Sequence, residues 1–358
     1  MRQKAISVML SPCRRGGRAM KRFHLFLSLF LMAILVSGVR AQDGMAPGIG
    51  LKTLRKGVPP PWVKPGLVLY YRGEGGSRTG GTGSYLVMEI AYLVWEVEGN
   101  RILGVEVQAS QMGVKFIPKL LGRGGDGLFW IDPQRASALL SPQALEEARR
   151  QGIALSGGPG MIVVDYAPQG RGVSRVAVRY DVQTGLVLSR EECSWSEGRD
   201  ARGATCTKTS YVSRGQLRLP RLRDLPPAAA MRASYHLQMV EQYTGMAVPA
   251  GGIQVEPVGR DGKLTRYRLI TLDPNTGMPL PPQEVWGIPA MGPHYRHPEL
   301  LRGSSIVLPD IGIEWTGGQT ILWNGVPWET DEVDPQNGLI LSFQARTYGG
   351  TITGILGE

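Results

Sequence analysis

The sequence predicts a mainly β protein of antiparallel strands, forming one large curved sheet or half-barrel or else two β domains, with a short helical insertion. Three observations lead there. Glycine (49) and proline (26) are abundant and spread along a 358-residue chain that is 42% hydrophobic, a composition of many short strands joined by turns. Short runs alternate apolar and polar residues, the period of a half-buried strand. One hairpin-turn pattern also occurs three times.

Residues 1–41 stand apart. They hold Arg2, Lys4, Arg14, Arg15, Arg18, Lys21, Arg22 and Arg40, and no Asp or Glu. An apolar run follows at 25–36, and then the small residues Val39 and Ala41, which is the layout of a bacterial-type secretory signal peptide. The run is short for about 30 Å of hydrocarbon, so cleavage is expected; uncleaved, and lengthened by Phe23 and Val39, it would tether the chain to a membrane. Met20-Lys21-Arg22 offers a second start, and Cys13, lying before the run, argues against a lipid-modified cysteine at the cut. The expected location is periplasmic or extracellular. Removing this segment also removes most of the formal charge of +10, leaving 32 basic against 30 acidic residues. The mature body therefore lacks the basic footprint of a nucleic-acid binder.

A Gly/Pro-rich lead-in at 42–61 ends in Pro59-Pro60-Pro61-Trp62 and precedes a first β region, 62–218. Strands are expected at 67–72, 84–98 and 102–108, with the Gly-rich 73–83 as a flexible loop. Helical signals gather at 132–151: Asp132-Pro133 and Ser141-Pro142 each set a capping side chain before a proline suited to the first helical position. Leu145 and Ala148 share one face, and Gly152 ends the segment. Cys193 and Cys206 lie in strand-like runs at 187–196 and 204–212. Paired across an antiparallel hairpin, they form a disulfide and set Glu191 opposite Lys208 and Val187 opposite Val212. Closing a loop of about fifteen residues is worth roughly 3 kcal/mol on the chain-entropy account. The Pro-rich stretch 219–230 reads as a linker to a second β region, 231–358, with strands at 234–244, 252–258 and 264–272.

The recurring turn is Asp181-Val182-Gln183-Thr184-Gly185, Asp273-Pro274-Asn275-Thr276-Gly277 and Asp334-Pro335-Gln336-Asn337-Gly338. Asp accepts backbone hydrogen bonds at the start of such a turn and Gly takes the left-handed position that returns the chain. In its longest form, Tyr180-Asp181-Val182-Gln183-Thr184-Gly185-Leu186-Val187-Leu188, it resembles the Tyr-Asp-x-x-Thr-Gly-x-Leu-Leu hairpin of exported bacterial β proteins, among them half-barrel carriers of the lipoprotein-localisation type. That resemblance implies a concave sheet with a helical lid over an acyl chain, a lid that 132–151 would supply; it transfers no binding residue.

Chemistry-bearing motifs are few. His294, His297 and Glu299 are the nearest approach to a metal cluster, but Pro298 disfavours a helix that would bring the two rings together, and a zinc site needs a further ligand. His236 reads as a residue on the polar face of a strand. The mature chain has no Gly-x-Ser-x-Gly elbow, and the 73–83 loop has no Gly-Lys-Ser/Thr ending. Glu89, Glu96, Glu98, Asp310 and Glu314 are carboxylates without a diagnostic spacing. Trp315, Trp323 and Trp328 cluster in a Gly-rich region, either as core or as a platform for carbohydrate or a partner. The reading is therefore an exported noncatalytic binding or carrier protein for a lipid, another apolar or an extended ligand, with no cofactor and with cell-envelope partners. The alternatives are a structural or adhesive surface protein, or a hydrolase without a recognisable motif.

Overall fold

Leu67, Val68, Leu69, Tyr70 and Tyr71 form an apolar run without alternation, and all five side chains are buried. A strand of this kind is covered on both faces. In the computed structural model, which describes residues 57–79, 82–111, 113–166, 173–195, 204–222, 224–303, 305–347 and 349–357, this run opens β1 (Leu67–Thr79) at the middle of a ten-stranded antiparallel sheet. The chain then meanders outward through β2 (Thr82–Glu98), β3 (Arg101–Ser110), β4 (Gly113–Arg123) and β5 (Asp126–Gly127). It crosses the sheet through α1 (Pro133–Leu139) and α2 (Pro142–Arg150). From the opposite edge it returns through β6 (Ile153–Gly158), β7 (Met161–Tyr166), β8 (Val173–Tyr180) and β9 (Val187–Trp195), and β10 (Ala204–Gln216) finally pairs with β1.

The second half repeats this path. Its first strand, β11 (Ala233–Glu241), is again central and leads outward to β12 (Ala247–Asp261), β13 (Leu264–Leu272) and β14 (Gln283–Gly287). The crossover holds the small ladder β15 (Met291–Gly292) with β16 (Tyr295–Arg296) and the 3-10 turn Pro298–Leu301. The chain re-enters at the far edge with β17 (Ser305–Leu308), β18 (Ile313–Thr316), β19 (Thr320–Trp323), β20 (Val326–Val333) and β21 (Ile340–Thr347), and β22 (Gly350–Leu356) closes against β11.

The repetition reaches individual bonds. Ile131 N donates to Gly185 O (2.8 Å) and Arg296 N to Gly338 O (2.9 Å). Val187 N donates to Phe129 O (2.9 Å) and Ile340 N to His294 O (3.0 Å). From the first strand of each half, Tyr71 Oη donates to Val187 O and Tyr235 Oη to Ile340 O, both at 2.7 Å. Both crossovers continue into a proline-led turn of helix, capped by Asp132 before Pro133 and by His297 before Pro298. Gly185 (φ 74°) and Gly338 (φ 85°) sit where a Cβ would lie 2.1 and 2.3 Å from the carbonyl oxygens of Ile131 and Arg296, so no other residue fits.

Among the described residues, three apolar clusters hold these layers. One joins a face of β1–β4 (Val68, Leu93, Leu103, Val107) to the second sheet (Ile306, Ile313, Trp315, Ile321), making one core of both sheets. The other face of β1–β4 (Leu69, Ile90, Ile102, Leu121) is covered by Leu128, Phe129 and Trp130 of the crossover. The third packs Ile131, Ala136 and Leu139 onto Ile162, Val164, Val176 and Val178. β11 instead alternates cleanly, with Tyr235, Leu237 and Met239 buried between the exposed His236, Gln238 and Val240.

Two expectations need correction. Of the expected loop 73–83, residues 73–79 and 82–83 are strand instead, while 80–81 lie outside the described residues: β1 and β2 pair as far as Thr79 with Thr82, and Gly75 and Gly76 lie in register with Leu86 and Tyr85 on one side and Thr207 and Cys206 on the other. Cross-strand pairing on both sides overrides the low strand propensity of glycine. The hairpin register places Cys193 opposite Cys206 and Glu191 opposite Lys208 as expected, but the ladder ends at Ser189 with Ser210. Val187 is instead bonded to Phe129 of the crossover.

Candidate functional site

Cys193 and Cys206 are joined, with Cα atoms 4.1 Å apart, and staple β9 to β10. The histidines do not converge on a metal. His294 is fully buried, its Nε2 2.8 Å from Ala228 O, with the Tyr267 and Tyr295 rings edge-on at 5.1 and 5.4 Å. Burial lowers its pKa to about 4, against the hydrogen bond to Ala228, so it is neutral at pH 7. His297 caps the Pro298–Leu301 turn, its Nδ1 accepting from Glu299 N at 3.1 Å, which also places Glu299. His236 is exposed on β11. Among the described residues no three His, Cys, Asp or Glu side chains are grouped to hold a metal ion.

The carboxylates singled out above are mostly engaged in ion pairs and hydrogen bonds. Glu96 pairs with Lys263 (2.6 Å), and Glu98 joins Arg101, which bonds Asp261 (2.8 Å). Asp310 accepts from Ser213, and Glu314 from Ser305 (3.0 Å) and Thr316 (3.1 Å). Glu89 is exposed on β2. The three tryptophans divide: Trp315 is 2% exposed in the shared core against Phe116, whereas Trp323 and Trp328 are half-buried and meet edge to face at 5.3 Å.

Two polar clusters that the sequence reading missed lie inside the fold. On the crossover side of β3 and β4, Lys119 Nζ and Gln108 Nε2 each donate to Glu106 at 2.5 Å, with Glu106 and Lys119 both buried. Burial pushes the Glu106 carboxyl up, but Lys119 and Gln108 together hold it below its ordinary range. In the second half, Arg296 Nη2 bridges Asp331 Oδ2 (2.7 Å) and Glu329 Oε1 (3.0 Å), and its Nη1 donates to Gly292 O and Tyr295 O (3.0 and 3.1 Å). Burial raises the Asp331 carboxyl to about 7, and the neighbouring Glu329 adds to this against the pull of Arg296.

An opening lined by described residues lies where the first half hands over to the second. The β2–β3 register shifts between Val94 and Glu96, leaving Trp95 as an extra residue in a bulge. Opposite the bulge, the chain leaving β10 runs extended as Leu217-Arg218-Leu219-Pro220-Arg221-Leu222. It is fastened by Leu217 N to Gly66 O (2.7 Å) and Gln216 Nε2 to Pro65 O (2.8 Å). Leu217, Leu219 and Leu222 turn toward the shared core, and Arg218 and Arg221 turn to solvent. Between these walls is a groove of about 800 Å³ with Trp95, the leucines, Pro65 and Pro220 as its apolar lining and Glu96, Arg218 and Arg221 as its polar groups. This volume falls within the usual range for ligand sites. Because Lys263 compensates Glu96, the uncompensated charge along the groove is cationic. The linker carried a signal in its Leu-Arg alternation, but the opposing wall lies more than a hundred residues earlier.

No protein-family description and no curated protein matches the sequence. Among solved structures, the chain is similar to MucB, solved in complex with MucA(peri), at 13% identity over 81% of this chain and 89% of that one, with a TM-score of 0.21. It is also similar to a protein of unknown function of the DUF3598 family from Nostoc punctiforme, at 9% identity over 85% of this chain and 97% of that one, with a TM-score of 0.15. At such TM-scores neither likeness carries an argument, and the half-barrel resemblance of the Tyr180 hairpin gains no family-level support.

Proposed function

We propose that the chain is an exported, noncatalytic binding protein that takes an extended, partly apolar and acidic chain segment in the groove between Trp95 and Leu217–Leu222. The groove itself carries this reading: it is long-walled, apolar at its base and cationic at its rim. A regular row of leucines and arginines on an extended backbone suits a ligand that alternates apolar side chains with carboxylates. Export is supported by the signal-type segment at 25–41 and by a disulfide, which persists in oxidising compartments. Among the described residues no helix is long and apolar enough to cross a membrane. The lid proposed for residues 132–151 packs Ala136 and Leu139 directly onto Val164 and Val178, so the ligand is assigned to the groove and not to the space beneath α1.

The test uses a short synthetic peptide alternating Leu and Glu, its Leu/Lys counterpart, and fluorescence anisotropy. The first is expected to bind saturably and the second far more weakly. R218E/R221E, which alters two exposed positions, is expected to reverse the preference. Failure of both peptides, or an unchanged preference in the double variant, would overturn the reading. A surface-component reading is favoured by one observation, the projecting β11–β12 turn with Tyr243 88% and Met246 62% exposed. It requires concentration-dependent self-association on a sizing column that Y243S abolishes.

A further inference from the structure

On the exposed face of β20–β22, away from the groove, the register aligns two rows of side chains. Thr330 lies opposite Gln344 and Gln344 opposite Thr353; one step along, Arg346 lies opposite Thr351. Trp328 shares a face with Thr330, since alternate residues of a strand point the same way. Pro327, Trp328, Thr330, Gln344, Arg346 and Thr351 surround a depression of about 160 Å³. That is below the span of roughly 300–1,000 Å³ typical of sites for larger ligands, so it suits one ring and not a chain.

The chemistry of the lining is specific. The side chains of Thr330, Gln344, Arg346 and Thr351 have no hydrogen-bond or ion-pair partner among the described residues, although polar groups nearby are engaged: Arg296 holds Glu329, and Ser342 bonds Glu332 (2.9 Å). The Trp328 ring is fixed by the edge of Trp323 and by close approach of the backbone at Gly113, where a Cβ would lie 3.1 Å from the indole. A rigid indole, two hydroxyls, an amide and an unpaired guanidinium on strand backbones form a preorganised set. The ring offers a flat apolar surface to C–H groups, the hydroxyls and amide match alcohol groups, and the guanidinium matches a carboxylate in bidentate fashion.

We propose that this depression binds a single carboxylate-bearing sugar ring, with Arg346 on the carboxylate, Thr330, Gln344 and Thr351 on ring hydroxyls and Trp328 beneath the ring. The sugar can be free or one unit of a polysaccharide. The site is separate from the groove, so either assignment can fail alone.

The probes are galacturonic acid, its linear trimer and neutral galactose, titrated against the full mature chain and followed by tryptophan fluorescence and by the amide shifts of Gln344 and Thr351. Galacturonate is expected to saturate, and galactose to bind at least tenfold more weakly. R346A is expected to lose about tenfold for galacturonate and little for galactose, the size of one charge-assisted hydrogen bond. Tighter binding of the trimer identifies a polymer as the source and equal binding identifies the free sugar; both support the site. W328A removes the ring contact with Trp323, so Q344A at an exposed position serves as a second variant, with a several-fold loss expected. Absence of saturation by any of the three sugars, or galacturonate binding unchanged in R346A, would overturn the proposal.

Discussion

Where the first half sets Ile131 in one apolar cluster with Val176 and Val178, the second half sets Arg296 against Glu329 and Asp331. The positions correspond through the shared bonds of the crossover and through the matching registers Tyr180 with Val187 and Val333 with Ile340. The same exchange turns Phe129 into His294 and Trp130 into Tyr295. The cover differs accordingly: α1 and α2 lie over the apolar version, and a four-residue 3-10 turn follows the ionic one. The backbone bonds specify the topology in both halves, while the side chains at its centre are free to be oil or ions, provided each set is internally complete.

Substitutions that import one half's chemistry into the other give the largest expected effects. R296M leaves Asp331 and Glu329 without their counter-ion and is expected to lower stability by about 3–5 kcal/mol in urea unfolding. R296I/E329V/D331V, which copies the first half, is expected to be neutral or stabilising by about 1–4 kcal/mol; a loss as large as that of R296M would mean that the ion cluster does more than fill space. In the apolar half, I131A opens a cavity and is expected to cost about 2–5 kcal/mol. A loss under 1 kcal/mol there would show that α1 collapses onto the gap.

The pH response sharpens the contrast further, because two contributors in the second half have opposite signs. Asp331 binds its proton more tightly folded than unfolded, with a folded value of about 7, so its contribution to stability is highest in acid and is lost as pH rises from about 4 to 7. His294, held near 4, resists protonation when folded, so its contribution is lost as pH falls from 6.5 to about 4. In the wild type these two contributions oppose each other where they overlap. D331N is expected to become less stable as pH falls below 6.5, and H294F, which copies Phe129, to become more stable over the same interval. Parallel curves for all three proteins would refute both assignments. The smallest effects are expected from Y71F and Y235F, each losing one buried hydrogen bond worth about 1 kcal/mol and, because the geometry is the same, losing equal amounts.

Features set by near neighbours were legible in the sequence. Asp132 and Ser141 cap α1 and α2 as their Pro-led motifs indicate. In the turns, Asp181 Oδ1 accepts from Gln183 N and Thr184 N, and Asp273 Oδ1 from Asn275 N and Thr276 N. A fourth copy at Glu241–Gly245 escaped notice because Glu replaces Asp, yet Thr244 Oγ1 still bonds the carboxylate at 2.9 Å. Residues 73–79 and 82–83 misled because glycine content was read as a loop signal while the strands on both sides decided the outcome. The repetition of the halves was invisible for a sharper reason: its shared parts are backbone hydrogen bonds, which constrain φ and ψ but leave Ile131 and Arg296 equally acceptable. The candidate groove was hidden because its walls come from a β2 bulge and a linker distant in sequence.

In both sheets the first strand made finds its last partner only at the end of its half, Leu67 with Gln216 and Tyr235 with Leu356. Loop-closure entropy must therefore be met before either sheet can close at its middle, which makes for slow folding. As the chain emerges from its N-terminal end, β11 keeps an unpaired edge until the final seven-residue strand arrives. A nascent chain built this way keeps each sheet open until the last strand of that half is made, and one truncated before residue 350 would present a permanent sticky edge to its neighbours.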